Sequence, residues 1–88
     1  MGKKKPIVFY FYAPDWDAFA FEKKNKVFNE CQKIGLSCSA IDVETQNGVE
    51  MSIKYQVRNV PTAVVVDNGK VVDVLKGNTI HEKLSYIF

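Results

Sequence analysis

Cysteine is scarce in this chain: Cys31 and Cys38 are the only two in 88 residues, too few for a disulfide framework. Histidine is scarcer. His81 stands alone, with no cysteine or carboxylate cluster beside it, so no metal site is expected. No cofactor motif is present, and none is expected to bind. No apolar run approaches the roughly 18 residues of a membrane span, which removes a membrane partner from the expectation. An excess of one charge is also missing. Twelve Lys and Arg face ten Asp and Glu, and three of the lysines are Lys3, Lys4 and Lys5. The rest of the chain therefore carries a charge near −1, which argues against a nucleic-acid face built on the folded body. Residues 1–5 read as a solvated basic tail. Gly2 is not the start of a myristoylation signal, because Pro6 stands where Ser or Thr is required.

What is present is a globular balance, 47% hydrophobic and 25% charged, enough for one domain over residues 6–88 and no second core. A domain this short buries only about 60–65% of its unfolded surface, so its stability margin is slim. Six Phe, four Tyr and Trp16 offset this, since each ring removes a large area from water. Residues 7–13 follow three lysines and mimic the core of a signal peptide. The run is short and aromatic-rich, and no small-residue cleavage site follows it. It is read as a strand, and the expected location is cytoplasmic. Nothing in the sequence sets an oligomeric state.

Ile7 to Tyr12 is continuous apolar and aromatic sequence, the pattern of a central strand covered on both faces. Pro14 breaks it, and Asp15 or Asp17 is placed to cap a helix over residues 18–34. In that helix Ala20, Val27, Cys31 and Ile34 share one stripe, with Phe21 and Phe28 on its shoulder. Gly35 suits a left-handed cap. Leu36 to Val43 reads as a second strand with Cys38, Ala40 and Leu36 on one face, Thr45 to Gly48 as a loop, and Val49 to Tyr55 as a short helix. Thr62 to Val66 is a β-branched strand. Asn68-Gly69 supplies a hairpin turn, and Val71 to Leu75 returns antiparallel. Gly77 ends that strand, and residues 79–88 close the chain as a helix. The order is βαβαββα, an α/β fold with a four-stranded mixed sheet and helices on both faces.

That order and the residues at its joints resemble the thioredoxin superfamily. Tyr55-Gln56-Val57-Arg58-Asn59-Val60-Pro61-Thr62, then Val64-Val65-Val66, Asn68-Gly69 and Gly77, is similar to the family's Tyr-Gly-Val-Arg-x-Ile-Pro-Thr signature, strand, turn and final glycine. Phe11-Tyr12-Ala13-Pro14 resembles the segment that precedes the family's active site, and Ile41-Asp42-Val43-Glu44 the end of the intervening strand. The resemblance implies a minimal thioredoxin-like domain without the N-terminal strand and helix of full-length thioredoxins. It also implies a cis Pro61 at the edge of a substrate groove.

The departure lies after Pro14. Where the family places Trp-Cys-x-x-Cys, this chain reads Asp15-Trp16-Asp17-Ala18-Phe19-Ala20-Phe21. Three alignments put the cysteine positions on Trp16 and Phe19, on Asp17 and Ala20, or on Ala18 and Phe21, and none contains a cysteine. The family's buried Asp falls on Tyr10 and its nearby Lys on Ala40. Exchange needs a thiolate that attacks and a second thiol that resolves, and the dipole of a helix N-terminus favours the thiolate. With neither thiol nor proton acceptor, no catalytic residue is expected there.

The leading expectation is a redox-inactive module that binds a partner protein or extended peptide through Asp15, Trp16, Phe19, Val60, Pro61 and Gly77. Phe19 points away from the Val27–Cys31–Ile34 stripe and stands close to Trp16, a candidate aromatic hot spot. Two readings of that pair stand, a binding surface and local packing on Pro61 or Tyr12. Two also stand for Pro61, a packing need at the strand entry and a working groove. Asp15 and Asp17 are explained by capping. Cys31 and Cys38 read as core thiols facing one another, with a disulfide as the other reading. The competing functions are an enzyme, through thiol–disulfide exchange on Cys31 and Cys38 or an unrelated reaction at the Asp15/Asp17 end, and a structural subunit of a larger assembly.

Overall fold

The computed structural model describes residues 6–16 and 18–87. The basic stretch 1–5, Asp17 as a cap and Phe88 as the last helical residue lie outside the described residues. The elements run β1 (Ile7–Tyr12), α1 (Ala20–Ile34), β2 (Ser37–Asp42), α2 (Gln46–Lys54), β3 (Thr62–Asp67), β4 (Lys70–Lys76) and α3 (Ile80–Ile87). They form one four-stranded sheet ordered β2-β1-β3-β4. β1 pairs parallel with β2 and antiparallel with β3, which pairs antiparallel with β4.

The continuous apolar run of β1 follows from this central place. Val8 and Tyr10 face one way, into a core shared with Val27 and Cys31 of α1, Ala63 and Val65 of β3, and Ile80 and Leu84 of α3. Phe11 faces the other way, with Ile41, Val64 and Val66, and is covered by Phe9, Val43, Met51, Tyr55 and Val57. One sheet thus carries two half-cores, α1 and α3 on one face and α2 on the other, because successive side chains of a strand point to opposite faces. β4 buries only Leu75 and leaves Val71, Val72 and Val74 exposed. Two strands set edges. β4 carries Lys70, Asp73, Lys76 and a register shift between Val65 and Val66 of its partner, features that blunt an edge.

Several boundaries differ from the sequence reading, each for a local reason. Helix α1 starts at Ala20 rather than residue 18. Phe19 is the N-cap, with no side-chain cap hydrogen bond. Asp15 does not cap it: the Trp16 N–H donates to the Ala13 carbonyl at 3.1 Å, closing a turn in which Pro14 takes the position that suits its fixed φ. Residues 46–48, expected in a loop, are the first turn of α2. The Thr45 hydroxyl caps it by accepting from the Gly48 N–H at 3.0 Å. β2 spans Ser37–Asp42, and Ala40 follows the alternation of Leu36 and Cys38 to stand opposite Tyr10, but it is exposed where they are half-buried. On α1, Phe21 is exposed and partly covered by the Lys24 ammonium, 4.8 Å from the ring centroid. β3 and β4 each extend beyond the expected ends, and α3 begins at Ile80.

Candidate functional site

The Ala13–Trp16 turn carries the Trp16 ring off the end of β1 into solvent, where it is 84% exposed. Across from it lies the loop that enters β3. The Val60–Pro61 peptide bond is cis. The Thr62 hydroxyl donates to the Asn59 carbonyl at 2.6 Å, and the Gly77 N–H donates to the Pro61 carbonyl at 3.3 Å. The loop is therefore tied to both β3 and the end of β4.

Three recesses surround this point. The first, about 280 Å³, lies between Trp16, Val60, Pro61, Tyr12 and Tyr10. A second, about 240 Å³, is lined by Trp16 and Val60 again, with Val43, Val57, Arg58 and Glu44. The third, also about 240 Å³, is lined by Phe19, Gly77, Tyr10, Lys23, Lys26 and His81. Of the residues singled out in the sequence, Trp16, Val60 and Pro61 thus line one cleft. Phe19 and Gly77 line another, with the Tyr10 ring contributing to both. Phe19 is 60% exposed.

Asp15 is exposed and sits against a residue the sequence reading did not select. Hydrogen bonding to Asp15 first, then burial and the negative charges of Asp15 and Asp42, push the Glu44 carboxyl above the ordinary glutamate range. A hydrogen bond from Trp16 to Glu44 opposes part of that rise. Glu44 was visible in the sequence only as part of the strand-end resemblance; its pairing with Asp15 depends on how the Ala13–Trp16 turn meets the end of β2. Val43, Val57 and Arg58 were likewise not selected, because they converge only through tertiary packing.

The positions that the resemblance assigns to a buried Asp and a Lys are Cα partners across β1 and β2, Tyr10 opposite Ala40. Tyr10 is 1% exposed, and among the described residues no buried side-chain nitrogen or oxygen lacks a hydrogen-bond partner. The space beneath the helix start is filled by a phenol ring, and no cysteine stands between residues 6 and 30. Among the described residues no cluster of His, Cys, Asp and Glu could hold a metal ion, and no helix is long and apolar enough to cross a membrane.

Cys31 and Cys38 come together, 3.7 Å apart, with both thiols free. Burial disfavours a thiolate and so raises a cysteine pKa, but here the two thiols shift in opposite directions. The Cys38 S–H donates to the Cys31 sulfur, which favours the Cys31 thiolate and lowers its pKa despite burial. The same bond, with burial, pushes the Cys38 thiol up.

A mixed sheet in this strand order, helices on both faces and a proline loop opposite the start of α1 define the class: a thioredoxin-like α/β domain. Solved structures agree. The thioredoxin of Fasciola hepatica is 29% identical with a TM-score of 0.80, over 97% of this chain and 79% of its own. The germline-specific thioredoxin Deadhead of Drosophila melanogaster is 27% identical with a TM-score of 0.73, over 94% of this chain and 77% of its own. A thioredoxin variant from Halobacterium salinarum is 24% identical with a TM-score of 0.80, over 96% of this chain and 72% of its own. No protein-family model and no curated protein matches the chain. The protein has the thioredoxin fold, with a Cys31–Cys38 pair placed elsewhere than the start of α1.

Proposed function

We propose that this chain is a binding module that holds a partner protein or an extended peptide segment at the cleft between Trp16 and the Val60–Pro61 loop. In this reading the start of α1 performs no thiol–disulfide exchange. One observation carries it: a tryptophan 84% exposed beside a cleft walled by Val60, Pro61 and Tyr12, with no sulfur at that end of α1. An indole held in water beside an apolar cleft gains by being covered, and such aromatics dominate binding energy where they occur. The two free thiols fit a reducing compartment such as the cytoplasm.

The test is selection of unstructured peptides from a displayed library on the immobilised chain, followed by titration. Trp16→Ala is expected to weaken the selected peptides about tenfold or more while circular dichroism stays unchanged. Equal affinity in the variant would remove Trp16 and its cleft from the interface.

A second reading, exchange catalysed by Cys31 and Cys38, is favoured by their 3.7 Å approach. Cys31 is 1% exposed, which keeps a protein disulfide from reaching it. Reduction of insulin by dithiothreitol separates the two readings: the binding module leaves the rate at the blank, whereas turnover lost in Cys31→Ser supports exchange.

A further inference from the structure

We propose that Cys31 and Cys38 are a redox modification site, closed to an intramolecular disulfide by a low-molecular-weight disulfide such as oxidised glutathione. The backbone between them makes the approach a built feature. Cys31 lies in the last turn of α1, and its carbonyl accepts the Leu36 N–H at 2.8 Å. Gly35 takes the left-handed conformation, φ 76°, that reverses the chain into β2. Both side chains then enter the same half-core, Cys31 within it and Cys38 packed against it. Sulfurs already in hydrogen-bond contact need side-chain rotation rather than movement of the fold to reach bonding distance, about 2 Å.

Exposure sets the order of events. Cys31 is buried, whereas Cys38 is half-buried on a strand at the edge of the sheet, so a small oxidant meets Cys38. When one proton has left the pair, the remaining one rests on Cys38 and points at the Cys31 sulfur. Transfer of that proton to Cys31 across the contact frees the Cys38 thiolate, the sulfur a small oxidant can reach, and it attacks one sulfur of oxidised glutathione. The glutathione S–S bond breaks, and the first glutathione leaves as thiolate and takes up the proton released earlier. Cys31 then attacks the Cys38 sulfur of the mixed disulfide. A new S–S bond forms, the second glutathione leaves as thiol with the last proton, and two electrons have passed from the protein to glutathione. Cys38 is the attacking and Cys31 the resolving thiol, an assignment independent of any partner bound at Trp16.

The experiment treats the full chain with oxidised glutathione and reads intact mass and tryptic peptides. The wild-type chain is expected to lose about 2 Da, the two thiol hydrogens, and to recover them under dithiothreitol. Because Lys33 lies between the two cysteines, trypsin would release the cross-link as two joined peptides. Cys31→Ser is expected to stop at one persistent glutathione on Cys38, and Cys38→Ser to leave Cys31 unmodified. A stable glutathione adduct on the wild-type chain, cross-links between chains, or two thiols still open to maleimide would each overturn the proposal. The wild-type reading stands even where a serine variant folds poorly.

Discussion

At the residue scale, the pair most open to direct measurement is Asp15 and Glu44. Two carboxyls sharing a hydrogen bond cannot both be charged without repulsion, and the Glu44 carboxyl is raised in consequence. A folded pKa above the unfolded one means that the folded state holds this proton more tightly. The contribution to stability is then fully present below the ordinary glutamate range and disappears as pH rises through the raised value. In an NMR titration Glu44 is expected to lose its proton later than the other glutamates. Asp15→Asn should bring it back down toward the ordinary range, since the hydrogen bonding and charge of Asp15 that raise it are gone while the influence of Trp16 that lowers it remains. Persistence of the raised value in Asp15→Asn would place its cause elsewhere. The same scale shows why the site was half legible. Trp16, Val60 and Pro61 were selected as site residues, whereas Glu44 and Arg58, quoted only within motif stretches, join the site once the fold brings them into one recess.

At the element scale, α2 is where local propensity misleads. Asn47-Gly48 reads as a turn, since both residues are poor helix formers. Yet Gly48 is buried in the first turn of the helix, because a Cβ there would fall on the Asp42 carbonyl and the Val43 backbone. Close approach of α2 to the end of β2 decides the residue, and sequence periodicity does not carry that information. Gly48→Ala is expected to destabilise the protein by about 2 kcal/mol or more, read as a lower urea midpoint. A change at exposed Gln46 should stay within about 0.5 kcal/mol. An unchanged midpoint in Gly48→Ala would mean that α2 sits farther from β2. By contrast, the continuous apolar run of β1, the β-branched run of β3, the Asn68-Gly69 turn and the glycine stop of α1 were legible, because each is dictated by neighbours in the chain. Disulfide closure between α1 and β2 would join two elements that only Gly35 and Leu36 separate in sequence. The closed loop is short, so it would restrict the unfolded chain by only about 2–3 kcal/mol.

At the scale of the whole molecule, the two half-cores share a single sheet. Val64 and Val65 are neighbours in β3, yet they serve opposite faces, and both are fully buried. Removing side chain from either face is therefore felt by the same strands. Val64→Ala and Leu84→Ala are each expected to cost about 2–4 kcal/mol while unfolding remains one cooperative transition. Separate steps in circular dichroism would show that the faces fold independently. The radius of gyration, 12.4 Å, is close to the roughly 12 Å of a compact chain this long, so neither half-core stands apart.

The position of Trp16 has an optical consequence. It is the only indole in the chain and it already sits in water, so its fluorescence should hardly register unfolding, which leaves its surroundings almost unchanged. Anything apolar that settles over it would shift the emission to shorter wavelength. The protein thus carries its own lamp for occupancy of that cleft, dark to denaturation and sensitive to arrival.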